Sequence, residues 1–223
     1  MLFDYLVTGG VLPFNPAASV KGPTYVVKKG KTHVLSAEDA RTLLDSIDPS
    51  SLIGLRDRAL IGVMVYSFAR VSAVVSMKVE DYYQNGKRWW VRLHQKGGKF
   101  HEMPVHHKAE EYLDAYLAAA GIATDKKGFL FCSAYRRTGK LTKRSMSRWD
   151  TFKMIKRRAQ TAGVSERIGC HTFRATGITV YLHNGGSLEA AQRMANHESI
   201  RTTKLYDRTG EEITLDEVER IVL

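Results

Sequence analysis

His171 and Arg174 lie three residues apart, His197 follows, and Tyr206 stands nine residues beyond it. Two imidazoles, a guanidinium and a phenol are groups that can hold a phosphoryl group and attack it. The guanidinium offers a planar fork of donors to phosphate oxygens. The imidazoles exchange protons near neutral pH, and a phenol is a fair nucleophile once a base or a positive field is at hand. The chain around them has to bring them together. Gly169-Cys170 marks a short loop, and His171 to Arg174 open a segment with apolar Ile178, Val180, Tyr181 and Leu182, a periodicity that predicts a helix. On a helix, positions three apart share a face, so His171 and Arg174 can point into one site. Asn184-Gly185-Gly186 ends the segment. A second short helix, Ser187 to Met194 with Ser187 as its cap, leads to Asn196-His197-Glu198, and a Thr-Thr turn carries the chain on to Tyr206.

This spacing, together with the text ANHESIRTTKLYDR, resembles the tyrosine recombinase (phage integrase) family and its GH-x-S-x-x-T-T-x-x-Y segment. The resemblance implies two further cations upstream. Arg70 and Ser72 in SFARVSAVVSM match the family's Arg-x-Ser-Glu pattern, but Ala73 occupies the place of an acid that orients its catalytic neighbours. Lys96, in HQKGGKFHEMP, is the better match for a catalytic lysine on a β-hairpin, with Lys99 the runner-up. Two more positions depart from the pattern: Ala175, where His is frequent, and Asn196, where Gly is usual.

By this resemblance Tyr206 attacks a scissile DNA phosphate and becomes joined to the 3′ end, freeing a 5′ hydroxyl. Arg70 and Arg174 clamp the phosphate oxygens, and Lys96 is the acid for the leaving oxygen. His171 and His197 bond the phosphate and move protons, and either can be the base. The phosphotyrosine keeps the energy of the bond it replaced, so no ATP, metal or cofactor is called for. The function implied is that of a site-specific recombinase or integrase, with double-stranded DNA as partner and self-association on DNA, a tetramer in synapsis. Two rivals stay open. A type IB topoisomerase also uses a Tyr, two arginines, a Lys and a His, although the second histidine and Asn15-Pro16 favour the recombinase. A DNA-binding module that has lost catalysis is the other, and intact Tyr206 with a full basic set speaks against it.

Composition fits a polyanionic partner: 34 Lys and Arg against 23 acids give the 223 residues a net charge of +11. A hydrophobic share of 43% is enough for one sizeable core. Two isolated cysteines, Cys132 and Cys170, point to a reducing compartment. No apolar run approaches a membrane span and no signal peptide is visible, so a cytoplasmic protein is expected.

The fold class expected is mainly α with a small antiparallel β-sheet, as in a tyrosine recombinase catalytic domain. Residues 1–22 read as a remnant of an N-terminal core-binding domain plus linker, a short apolar helix broken by Gly9-Gly10, Pro13 and Pro16. Residues 23–223 form the catalytic domain with a C-terminal helix. Ser36 opens one helix, and Leu52 to Phe68 form a central one with Leu55, Ala59, Leu60, Val63 and Met64 inward. Asn85-Gly86 and Gly97-Gly98 set turns between three strands. His106 to Ala120 is a helix, and Gly128 to Cys132 a short buried strand. Arg136, Arg137, Lys140, Lys143, Arg144 and Arg148, then Lys153, Lys156, Arg157 and Arg158 on the next helix, suit tracking a phosphate backbone. Gly30-Lys31-Thr32 lacks the upstream glycine of a phosphate loop. His101, His106 and His107 read as surface histidines without metal-ligand partners. Thr214 and Glu217 cap a terminal helix that the resemblance would dock on a neighbouring protomer.

Overall fold

The computed structural model describes residues 2–21, 30–94, 100–135 and 138–207, and among these it is mainly helical with two small antiparallel sheets. The expected domain boundary near residue 22, both hairpin lysines, Arg136, Arg137 and the terminal helix lie outside the described residues. Helix α1 (Leu2–Thr8) buries none of its residues. Ser36 caps α2 (Ala37–Asp45) by accepting from the Asp39 N–H at 2.9 Å, and Ser51 caps α3 (Leu52–Tyr66) in the same way.

Helix α3 is the centre of the main core. Ala59, Leu60, Ile61, Val63 and Met64 are all buried, packed with Leu43 and Ile47 from the α2 region. The apolar spacing does not announce that Arg56 and Asp57 are buried on the same helix. Asp57, 0% exposed, accepts from Arg56 on one oxygen and from Arg158 on the other, at 2.6 and 2.8 Å, while Arg56 also donates to the Cys132 carbonyl at 2.9 Å. The carboxylate is thus fully partnered, the condition for burying one at all.

After α3 the chain reverses at Phe68, whose φ of +52° is left-handed, a conformation a bulky residue adopts only where its surroundings hold it there. Arg70 then caps a single-turn helix, α4 (Val71–Val75), which no periodicity foretold. Strands β1 (Tyr82–Asn85), β2 (Arg88–His94) and β3 (Phe100–Pro104) form the expected antiparallel meander, with Asn85-Gly86 at the first turn. Helix α5 (His107–Ala120) packs Tyr112, Leu113 and Tyr116 inward and stops at Gly121 in left-handed geometry. The strand expected at Gly128–Cys132 begins at its far end instead. Only an isolated bridge forms at Phe129, and β4 (Cys132–Ala134) pairs with β5 (Leu141–Ser145), a strand hidden in the basic stretch.

Helices α6 (Arg148–Ala162), α7 (Cys170–His183) and α8 (Leu188–Ala195) follow, with Ser147 and Ser187 as caps. The Thr-Thr segment is a helix, α9 (Ile200–Lys204), not a turn. Phe68, Ile178, Leu182, Ala191 and Ala195 make a second small core, against which Tyr206 packs.

Candidate active site

Helix α7 carries most of the site. Its first turn places His171 at the surface and Arg174, only 2% exposed, one turn on. Gly177 lets α7 lie against the end of α3: a Cβ there would sit 2.2 Å from the Val65 carbonyl oxygen and 2.8 Å from the Phe68 ring. This close approach puts the Phe68 carbonyl where Arg174 Nη1 donates to it, and Arg174 Nη2 donates to the Ala195 carbonyl at 2.6 Å. The strained turn at Phe68 therefore aims an acceptor at one arginine just before the chain delivers the other, Arg70. Ala73 is buried on α4, so the orienting acid of the family pattern is absent, and main-chain carbonyls hold Arg174 in place.

His197 enters from the end of α8. Asn196 adopts left-handed φ 48°, ψ 53° there, which explains Asn where Gly is usual: it is the residue that best tolerates this region after glycine. The His197 ring, 7% exposed, pairs its Nδ1 with the buried Thr203 hydroxyl at 2.9 Å, which fixes its rotation. Tyr206 stacks on it, with ring centroids 5.7 Å apart and planes within 8°. The Thr179 hydroxyl of α7 donates to the Tyr206 carbonyl at 2.8 Å, and the Gly30 N–H donates to the Leu205 carbonyl at 3.0 Å. The phenol segment is thus docked on the same helix that bears His171 and Arg174.

The electrostatics show how close these groups are. Burial, then the charge of Arg70, draws the Arg174 pKa down to about 10, while Tyr206 opposes the shift through its charge and a side-chain hydrogen bond. Burial, then Arg174 and Arg70, takes His197 down to about 4. The same three causes lower His171. Both imidazoles are therefore neutral near pH 7 and able to accept a proton, beside the guanidiniums of Arg70 and Arg174. An anion arriving there would meet concentrated positive charge at a partly desolvated surface, the condition under which such charges act most strongly.

Of the six candidate residues, four from the spacing and two from the resemblance, the described structure brings five near one another: Arg70, His171, Arg174, His197 and Tyr206. Lys96 lies outside the described residues. Spacing overlooked Phe68 and Thr203, and it took His101 for a surface residue. His101 is half-buried on β3 and its Nε2 meets the Met194 carbonyl at 3.0 Å. The doubled Thr before Tyr206 was the one visible hint of Thr203.

Comparison with known proteins bears on the fold and the family. The chain is 27% identical over 208 residues to tyrosine recombinase XerD of Listeria monocytogenes, an alignment covering 92% of the chain and 66% of the relative. It spans about two-thirds of that protein's length. Its fold matches XerH site-specific recombinase bound to difH substrate in a pre-cleavage complex, with a TM-score of 0.69 at 22% identity over 98% of this chain and 61% of that one. It also matches a lambda integrase tetramer bound to a Holliday junction, with a TM-score of 0.64 at 18% identity over 95% and 58% of the two chains. Among the described residues no helix is long and apolar enough to cross a membrane. With the phage integrase family pattern matching residues 33–212, a span that takes in all the residues gathered above, the chain belongs to the phage integrase family.

Proposed function

We propose that this chain is the catalytic part of a site-specific DNA recombinase that cuts and rejoins DNA through a 3′-phosphotyrosine. Tyr206 Oη forms the new bond to phosphorus as the bond from phosphorus to the 5′ oxygen breaks. His171 or His197 takes the phenolic proton, and Lys96 gives one to the leaving oxygen. Arg70 and Arg174 hold the non-bridging oxygens and offset the charge that builds on them. A 5′ hydroxyl from a second strand then attacks the phosphotyrosine, and the same steps run in reverse. The observation that carries this reading is the docking of the Tyr206 ring on neutral His197 beside Arg174.

The partner is double-stranded DNA, and four protomers assemble at synapsis. The lambda integrase tetramer on a Holliday junction supports this arrangement for a chain of the same fold. The test is a pool of nicked duplexes with randomised sequence, incubated with the protein and run on a denaturing gel. The wild type should yield a covalent protein–DNA adduct that Tyr206→Phe cannot form. An adduct that persists in Tyr206→Phe would place the nucleophile elsewhere.

A further inference from the structure

An α-helix ends with four carbonyls that find no partner within it. At the end of α8 each of the four is taken. The Gln192 carbonyl accepts from the His197 N–H at 3.1 Å and the Arg193 carbonyl from the Asn196 N–H at 3.0 Å. The Ala195 carbonyl accepts from Arg174 at 2.6 Å. The Met194 carbonyl meets His101 Nε2 at 3.0 Å, across a sequence separation of 93 residues. Two of these acceptors are thus closed by the chain's own turn into His197, and the other two by side chains from other elements. One of those side chains is Arg174. The other, His101, comes from β3, where it faces Leu93 across the hairpin.

The chemistry of this contact is constrained. A carbonyl can only accept, so His101 must carry its proton on Nε2. Burial lowers its pKa, the bond to the Met194 carbonyl opposes that, and the charge of Arg174 adds to the lowering. A neutral donor is what this position holds: an aliphatic side chain would leave the Met194 carbonyl open beside the site, and a lysine would add a third cation to the arginines.

We propose that His101 is a positioning residue for strand transfer: by closing the Met194 carbonyl from the β-hairpin, it holds the end of α8 in the arrangement that seats Arg174 and His197. The inference rests on the strand-transfer reading for its consequence, but not for its geometry. Without this tie the last turn of α8 can fray. The Ala195 carbonyl then no longer fixes Arg174, and the Asn196 turn no longer delivers His197 into its buried setting.

Two measurements test it, one of which needs no DNA. In ¹⁵N-histidine spectra, His197 is assigned by its loss in His197→Gln and titrated in the wild type, His101→Ala and His101→Gln. The His197 midpoint should rise toward the free-imidazole value by ~1 unit in His101→Ala, since a frayed helix end admits water. It should stay at the wild-type value in His101→Gln, whose amide is also a neutral donor. An unchanged midpoint in His101→Ala overturns the proposal, whatever the protein does to DNA.

The second measurement is single-turnover cleavage at saturating duplex, using a sequence selected from the randomised pool. His101→Ala should lose roughly tenfold or more in the cleavage constant with DNA affinity changed less than about threefold, and His101→Gln should recover most of the loss. The loss should persist on a duplex with sulfur at the scissile 5′ position, whose thiolate leaves without an acid. Full recovery on that duplex would mean that His101 serves proton delivery from the hairpin instead, and would also overturn the proposal. A wild type that forms no adduct with any duplex defeats the strand-transfer reading, while the titration still decides the helix tie.

Discussion

At the scale of single residues, the site is built to keep its imidazoles neutral. His197 is buried, stacked on Tyr206 and faced by two arginines, and its pKa falls to about 4. The sign of the consequence for stability follows from proton counting. Between pH 4 and the unfolded value near 6.5 the unfolded chain binds a proton that the folded chain refuses, so stability falls as pH drops through this window. The part owed to His197 is present above pH 6.5 and amounts to about 3 kcal/mol. The depressed histidines His101 and His171 act in the same direction, so the group is isolated by comparing slopes. In urea unfolding from pH 7 to pH 4, His197→Gln should start less stable than the wild type, because it loses packing, but decline less steeply. Parallel curves would show that His197 is not held neutral by its surroundings. The arrival of a phosphate would offset the two guanidinium charges and let the ring accept a proton more readily, which suits a group that must be a base before transfer and an acid after it.

At the scale of elements, α7 gathers the parts, and what lets it do so is a missing side chain. Gly177 brings α7 within reach of the Val65 carbonyl and the Phe68 ring, and no rotamer change can relieve a contact with main chain at 2.2 Å. Gly177→Ala should therefore push α3 and α7 apart, at a cost of about 2–3 kcal/mol. It should also move the Phe68 carbonyl away from Arg174, so that cleavage falls by more than DNA binding does. Thermal unfolding and single-turnover cleavage on the same preparation check both halves, and a variant with normal stability and normal cleavage would refute the close approach. The elements that were legible in the sequence share a property: they declare themselves locally. The meander was written in Asn85-Gly86 and its flanking alternation, and α7 in its apolar period and Asn184-Gly185-Gly186. Helices α4 and α9, five residues each, are too short to show a period. Strand β5 exists because β4 pairs with it, and its basic text reads equally well as loop. His171, Arg174, His197 and Tyr206 stand out by type and spacing, whereas Arg70 and Lys96 become candidates only through the family resemblance. Phe68, Thr203 and His101 act through contacts that only the folded chain creates, such as the reach of His101 from β3 to α8.

At the scale of the whole molecule, the net charge of +11 says less about DNA than the distribution of the charges does. Part of the basic sequence is spent inside. Arg56 and Arg158 are committed to buried Asp57, so Arg158, which the sequence placed among phosphate-tracking residues, is a structural clasp between α3 and α6. Lys143, Arg144, Arg148 and Lys153, in contrast, are exposed on β5 and the first turns of α6, around Trp149, which is 60% exposed with the Lys153 ammonium 5.1 Å from its ring centre. The two groups should therefore answer differently to the same substitution. Each phosphate contact neutralised by a protein cation contributes about −0.9 to the slope of log Kobs against log salt. Replacing Lys143, Arg144 and Arg148 together by Gln should flatten that slope by up to roughly 2.7 and weaken binding with little change in stability. Arg158→Gln should leave the slope as it is and cost about 3 kcal/mol of folding stability, because it strips Asp57 of its main partner from α6 and leaves a buried carboxylate half-paired. Binding isotherms on one duplex between 50 and 300 mM salt, set beside urea unfolding, separate the two cases. A changed slope in Arg158→Gln, or an unchanged one in the triple variant, would move the DNA-facing surface away from β5 and the start of α6.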